Sequence, residues 1–137
     1  MSAQKHGLLP ISQFALKFYG RLAYHGYEGI ALKLDERERL VADLGPHKAM
    51  ILRNHGLLVV GRTIPGTFSL LYRMERACEV QVMALSCNTK LTIPSTEILE
   101  KTFDKVKPRV DKPNRNGDLA WPALLRKLDR LDPSYKK

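Results

Sequence analysis

One histidine stands where the chain reverses between two apolar runs. Ala49 to Leu52 and Leu57 to Val60 are short hydrophobic stretches separated by Arg53-Asn54-His55-Gly56. Such runs, bounded by turn residues, suit strands covered on both faces. Asn54 and Gly56 both tolerate positive φ, so the backbone can turn back there. An imidazole at the tip of a rigid hairpin can ligate a divalent cation, and His55 is therefore the candidate metal ligand. The plain alternative is a turn histidine bonded to nearby backbone. Zinc sites use three or four protein ligands, and spacing alone gives His55 no partner.

The other chemistry-bearing residues are weaker candidates. His6 lies near the terminus, His25 and His47 flank turns, and no helix or strand spacing puts two histidines on one face. Any of them could join His55, although a surface role is expected of His47 in its Gly45-Pro46-His47 turn. Glu75 and Glu79 are four apart, so on a helix they share a face with Tyr72 and Arg76 nearby. Paired carboxylates can do general acid–base work, but an ion-pair row facing solvent or a second subunit is the expected role. Cys78 and Cys87 have neither zinc-knuckle nor redox-pair spacing, so two reduced thiols are expected. The sequence holds no internal repeat, Gly-rich phosphate loop or Ser/His/Asp arrangement of recognisable spacing.

These residues need elements to position them. Ile11 to Tyr24 predicts a helix with an imperfect apolar face of Phe14, Leu16, Phe18 and Leu22, and Pro10 suits its start. Tyr24 to Leu32 reads as a short strand region with turns at Gly26 and Gly29. Asp35 can cap a helix that Glu38 supports by reaching back and that Gly45 ends. After the hairpin, Thr63 caps a long helix from Ile64 to Ser86. Ser95-Thr96-Glu97-Ile98 starts another, running to about Val106. The polar stretch from Pro108 to Gly117 reads as a linker or loop. Asp118 to Leu131 then predicts an amphipathic helix with Leu119, Leu124, Leu125, Leu128 and Leu131 to bury, and Pro122 in its first turn. Trp121, the single tryptophan, is expected to anchor that helix to the body or to a neighbour.

Composition bounds the rest. A chain of 137 residues predicts one domain with a modest core. The net charge is +9, and the excess sits in residues 101–137, with eleven Lys/Arg against five Asp. A basic tail can bind nucleic acid through phosphates. Few aromatics interleave with these cations and no helix-turn-helix or other reading motif is present, so a solvated tail is expected instead of a nucleic-acid surface. Attraction of anionic substrates is a further use of such a field. No apolar run reaches membrane-spanning length and the N-terminus lacks a signal pattern, which leads to the expectation of a cytoplasmic protein with no membrane partner.

Met50-Ile51-Leu52-Arg53-Asn54-His55-Gly56-Leu57-Leu58, the Gly61-Arg62-Thr63 exit and the Tyr72-Arg73-Met74-Glu75-Arg76-Ala77-Cys78-Glu79 helix resemble the class II aldolase/adducin family. Tyr24-His25-Gly26-Tyr27-Glu28-Gly29-Ile30-Ala31-Leu32 and the tail from Trp121 to Arg130 fit as well, so the resemblance spans nearly the whole chain. It is nearest to a bacterial branch known only by its class II aldolase likeness. The resemblance implies an α/β fold, a three-layer α/β/α class II aldolase-like domain, incomplete at the N-terminus. Residues 1–107 would be the C-terminal half of that domain, and residues 108–137 a basic linker plus an amphipathic helix. It also implies a divalent metal, usually zinc, held by three histidines. His55 matches the third of these; the His-x-His pair is expected just ahead of Ser2-Ala3-Gln4-Lys5. The acid–base glutamate and phosphate-binding loops would lie further upstream. Phe14 falls near the position of a tyrosine that active aldolases reach in from a neighbouring subunit, and a phenyl ring cannot exchange that proton.

Three functions follow as alternatives. One is a metal-dependent aldehyde-lyase-type domain for a small hydroxy-carbonyl or sugar-phosphate substrate, expected to be inactive as this chain alone. Another is a non-catalytic, adducin-like oligomerisation module. The third is nucleic-acid binding through the basic tail. A homo-oligomer is expected, a tetramer by resemblance, because a half-domain exposes apolar surface and a sheet edge.

Overall fold

The structure is a computed structural model. It describes residues 1–29, 35–110 and 115–136, with side chains described for 1–29, 35–105 and 119–136. The elements in chain order are α1 (Gln13–Leu16), β1 (Leu22–His25), α2 (Asp35–Leu44), β2 (Ala49–Leu52), β3 (Gly56–Val59), α3 (Ile64–Ser86), α4 (Thr96–Val110) and α5 (Arg115–Leu131), followed by a 3₁₀ turn at Pro133–Lys136.

The three strands form a mixed sheet in the order β1-β2-β3. β1 and β2 run parallel with Leu22 beside Ala49 and His25 beside Leu52. β2 and β3 are antiparallel with Ile51 beside Leu57 and Leu52 beside Gly56. Alternation along the strands sorts residues onto two faces. Ala49 and Ile51 join Ala15, Phe18, Met74 and Ala77 in one cluster, which places α1 and α3 on that face. Ala23, His25 and Met50 take the opposite face, where α2 packs against β1. The described elements thus make the helix–sheet–helix layering expected of the fold. Met50, Ile51 and Met74 are fully buried, and each such side chain contributes roughly 1.5–3 kcal/mol.

Most predicted elements stand where patterning put them. Thr63 caps α3 by accepting the Gly66 N–H at 3.2 Å, and Pro65 lies in its first turn. Gly45, at φ +51, follows the end of α2. Trp121 meets Phe68 edge-on at 5.4 Å, which holds α5 to α3.

Five predictions change. The strand region expected over Tyr24 to Leu32 is β1 at Leu22–His25, and residues 30–34 lie outside the described residues. The helix expected over Ile11 to Tyr24 lasts only one turn, α1. Ser12 caps it, but the chain then bends through Gly20 at φ +65, where the Phe103 ring closes over the backbone. That bend lets Phe18 enter the core and starts β1 at Leu22. β3 is half-buried along its length instead of covered on both faces, and among the described residues it is the edge strand, paired with β2. α4 continues through Pro108 to Val110 and α5 begins at Arg115; of the linker predicted between them, residues 111–114 lie outside the described residues. Finally, Pro122 lies inside α5 instead of in its first turn.

Candidate functional site at the hairpin tip

The β2–β3 turn is built as the sequence requires. Asn54 takes φ +54, and the His55 N–H closes the turn on the Leu52 carbonyl at 3.1 Å. Leu52 and Gly56 flank it as partners in the sheet. The His55 side chain is exposed, and no described residue hydrogen-bonds its ring.

The N-terminal segment lies across this tip. The Ser2 carbonyl accepts the Asn54 N–H at 3.3 Å. The Arg53 guanidinium donates to the Gln4 carbonyl at 2.7 Å and stacks on Tyr24 with its carbon 4.5 Å from the ring centre. The Tyr24 hydroxyl accepts the Leu8 N–H at 3.1 Å. Gly7 sits under that ring at φ +66; a Cβ there would stand 2.4 Å from the Tyr24 oxygen. Between the chain start, Gly56 and Leu57, and the face of α3 carrying Glu75, Cys78 and Glu79 lies an open cavity of about 390 Å³.

That cavity is a weak chemical environment as it stands. Glu79 pairs with Arg76, so at least one of the two glutamates belongs to the ion-pair row expected of them. Burial pushes the Cys78 thiol up to about 11, reinforced by the Glu75 charge and opposed by the Met1 ammonium. Cys78 is therefore a neutral thiol near pH 7 and a poor nucleophile. Both cysteines are free, as expected. Among the described residues no three His, Cys, Asp or Glu side chains gather in a way that could hold a metal ion. Among the described residues His55 alone does not make a metal centre.

His25 does not join His55. It is the last residue of β1, points to the α2 side and is only 3 % exposed. Its Nδ1–H donates to Asp43 on α2 at 2.7 Å. Its Nε2 stands 3.7 Å from Glu28 and 3.8 Å from Glu36. Arg39 forks onto Glu28 through Nε and Nη2, and this contact holds the Glu28 carboxyl below its ordinary range. His25 is thereby committed to tying α2 to the sheet. Its place in the Ala23–His25 alternation, shortly before an acidic helix start, was the available signal. Of the remaining pair, His6 is exposed and His47 half-buried.

Gln81 was not foreseen. It extends the buried stripe Met74, Ala77, Cys78 of α3 and is 1 % exposed. Its spacing from Met74 and Ala77 marked it as a core position, and a polar residue on a core stripe is the feature that distinguishes it.

This fold and this hairpin define a class, and comparison with known proteins gives the same class. Residues 1–82 match the family model described as the Class II Aldolase and Adducin N-terminal domain. A Pseudomonas aeruginosa protein carried under an aldolase class 2 name is 47 % identical over 138 residues, covering 100 % of this chain and 53 % of that protein. Alpha-adducin of Rattus norvegicus is 45 % identical over 147 residues, covering 96 % of this chain and 19 % of its own. The crystal structure of an aldolase II superfamily protein from Pseudomonas syringae superposes with a TM-score of 0.88 at 48 % identity, over 99 % of this chain and 54 % of that one. The chain belongs to the class II aldolase and adducin family. It spans about half the length of the bacterial relatives it matches.

Proposed function

We propose that this chain is the hairpin-histidine half of a lyase-type site. In this reading His55 serves as one ligand of a divalent cation, zinc by family resemblance, and the remaining ligands come from polypeptide that precedes or joins Ser2. The observation that carries it is the 3.3 Å bond from Asn54 to the Ser2 carbonyl. The family's His-x-His pair is expected directly ahead of Ser2, so chain arriving there reaches the turn beside His55. When bound, the cation would polarise the oxygens of a small hydroxy-carbonyl or sugar-phosphate substrate. By itself the chain offers the exposed imidazole and the adjoining cavity, and is catalytically silent.

Elemental analysis of the purified, tag-free chain with a His55→Ala control tests this. About one zinc per chain, lost in the variant, is expected if ligands from several chains assemble the site. A parent chain no richer in zinc than the variant overturns a site assembled from copies of this chain.

A second reading rests on a different observation. Among the described residues no strand pairs with the outer edge of β3, and Ile64, Phe68, Tyr72, Val82 and Met83 of α3 are large apolar side chains left exposed. These features, with the similarity to alpha-adducin, support an oligomerisation module. Sedimentation at rising concentration is expected to show a self-associating species; a compact monomer throughout would overturn this reading. The basic C-terminal region carries exposed Arg126, Lys127 and Arg130 on α5, and among the described residues charge is the feature that supports nucleic acid. Among the described residues no helix is long and apolar enough to cross a membrane.

A further inference from the structure

α5 packs against α3 with only part of its apolar surface. Trp121 and Leu125 are half-buried, and Trp121 meets the Phe68 ring. Leu124, Leu128 and Leu131 run beside them in a row that stays in solvent. Leu124 and Leu128 are each 41 % exposed and Leu131 71 %. With Trp121 these leucines alternate steps of three and four residues, the a and d spacing through which two helices pair. The charges beside the row match such pairing. Lys127 takes a g position and Asp132 the e position five residues later, and in a parallel pair of helices those positions face each other across the seam. An antiparallel pair would set Lys127 against its own copy. Asp132 lies one residue past α5, but its N–H still bonds the Leu128 carbonyl at 2.8 Å, so it keeps the helical turn. Asp129 is already held by Lys136 and Tyr135, whereas among the described residues neither Lys127 nor Asp132 has an ion-pair partner. The chain also has surface to cover. It exposes 10054 Å², where a compact monomer of 15.6 kDa exposes about 7,300 Å². The excess of about 2,800 Å² is of the size that obligate homodimers bury.

We propose that α5 is a self-pairing surface. Two copies of this chain join through Leu124, Leu128 and Leu131 of parallel α5 helices, and Lys127 of each copy pairs with Asp132 of the other. This names the partner surface of the oligomerisation reading and rests on that reading. The contact is isologous, so each leucine meets its own copy about a twofold axis and both ion pairs form together. The leucine row leaves water on both chains, which supplies the affinity. The ion pairs select the parallel arrangement over the antiparallel one.

Sedimentation equilibrium of the full chain compares the parent with Leu128→Glu, Lys127→Asp, Asp132→Lys and the two charge reversals combined. Circular dichroism checks the fold of each. Lys127 and Asp132 are exposed, so the charge variants read the interface even where Leu128→Glu does not fold. The parent is expected to dimerise. Leu128→Glu raises the dissociation constant about a hundredfold or more. Each single reversal raises it about threefold to tenfold, and the combined swap returns it to within about twofold of the parent. Leu124→Cys, with the exposed Cys87 changed to Ser, is expected to form an interchain disulfide on mild oxidation, since a parallel pair sets the two copies of that position together. A parent-like constant in Leu128→Glu, a swap that does not rescue, or no disulfide from Leu124→Cys overturns this surface and leaves the oligomerisation reading standing on β3 and α3. A parent that is monomeric at every concentration overturns both.

Discussion

His25 and His55 sit at the same end of neighbouring strands and have opposite fates. His25 ends β1, beside Leu52 of β2, and its ring turns to the α2 face among three carboxylates. His55 lies three residues beyond Leu52, past the end of β2, and its ring is exposed. The difference comes from one step of alternation and one turn. A strand residue on a covered face is buried with its ring against the covering helix, whereas the side chain at the tip of the three-residue Arg53–His55 reversal stands in solvent. A buried imidazole spends its hydrogen bond on structure. An exposed one keeps its nitrogen available for a ligand.

The largest expected effects follow from the buried member. His25→Ala empties a core position and removes the ring that faces Asp43 through Nδ1 and Glu28 and Glu36 through Nε2, so a loss of about 2–4 kcal/mol is expected in urea unfolding. Asp43→Ala leaves the ring in place but strips Nδ1 of its acceptor, at a cost of about 1–2 kcal/mol. Because both changes break the same link between β1 and α2, the double variant is expected to lose little more than His25→Ala alone. Additive losses would mean that Asp43 acts independently of the ring, and would break the comparison at its structural half.

How much of this was legible follows from how local each signal is. The hairpin, the α3 cap at Thr63 and the α2 stop at Gly45 are decided within three or four residues, and they appear as read. The short α1 is not local: Gly20 bends under Phe103, which is more than eighty residues away in sequence. His25 needed knowledge that α2 would return to cover β1, and its carboxylate partners Asp43 and Glu36 belong to that helix. Gln81 was hidden for a related reason. Its stripe announced burial, but its partners Gln4, Gly7 and Leu9 lie more than seventy residues earlier in an irregular strap that periodicity cannot describe. His55 was legible as a turn residue from spacing and as a ligand only by resemblance.

The smallest expected effect is the sharpest test of the exposed member. His55→Ala should change unfolding free energy by no more than about 0.5 kcal/mol, as for other surface positions. Alanine keeps the backbone N–H that closes on the Leu52 carbonyl, and the positive φ of the turn belongs to Asn54, not to His55. A substantial loss would mean that the ring is structural after all, and the two histidines would differ in degree only. Added zinc then extends the contrast. If His55 ligates the cation in an assembled site, zinc at a hundred times its dissociation constant stabilises the parent by about 2.7 kcal/mol and the variant by nothing. A residue that contributes nothing to the fold yet governs a ligand's stabilisation of it is available for function, whereas His25, which the fold depends on, is not.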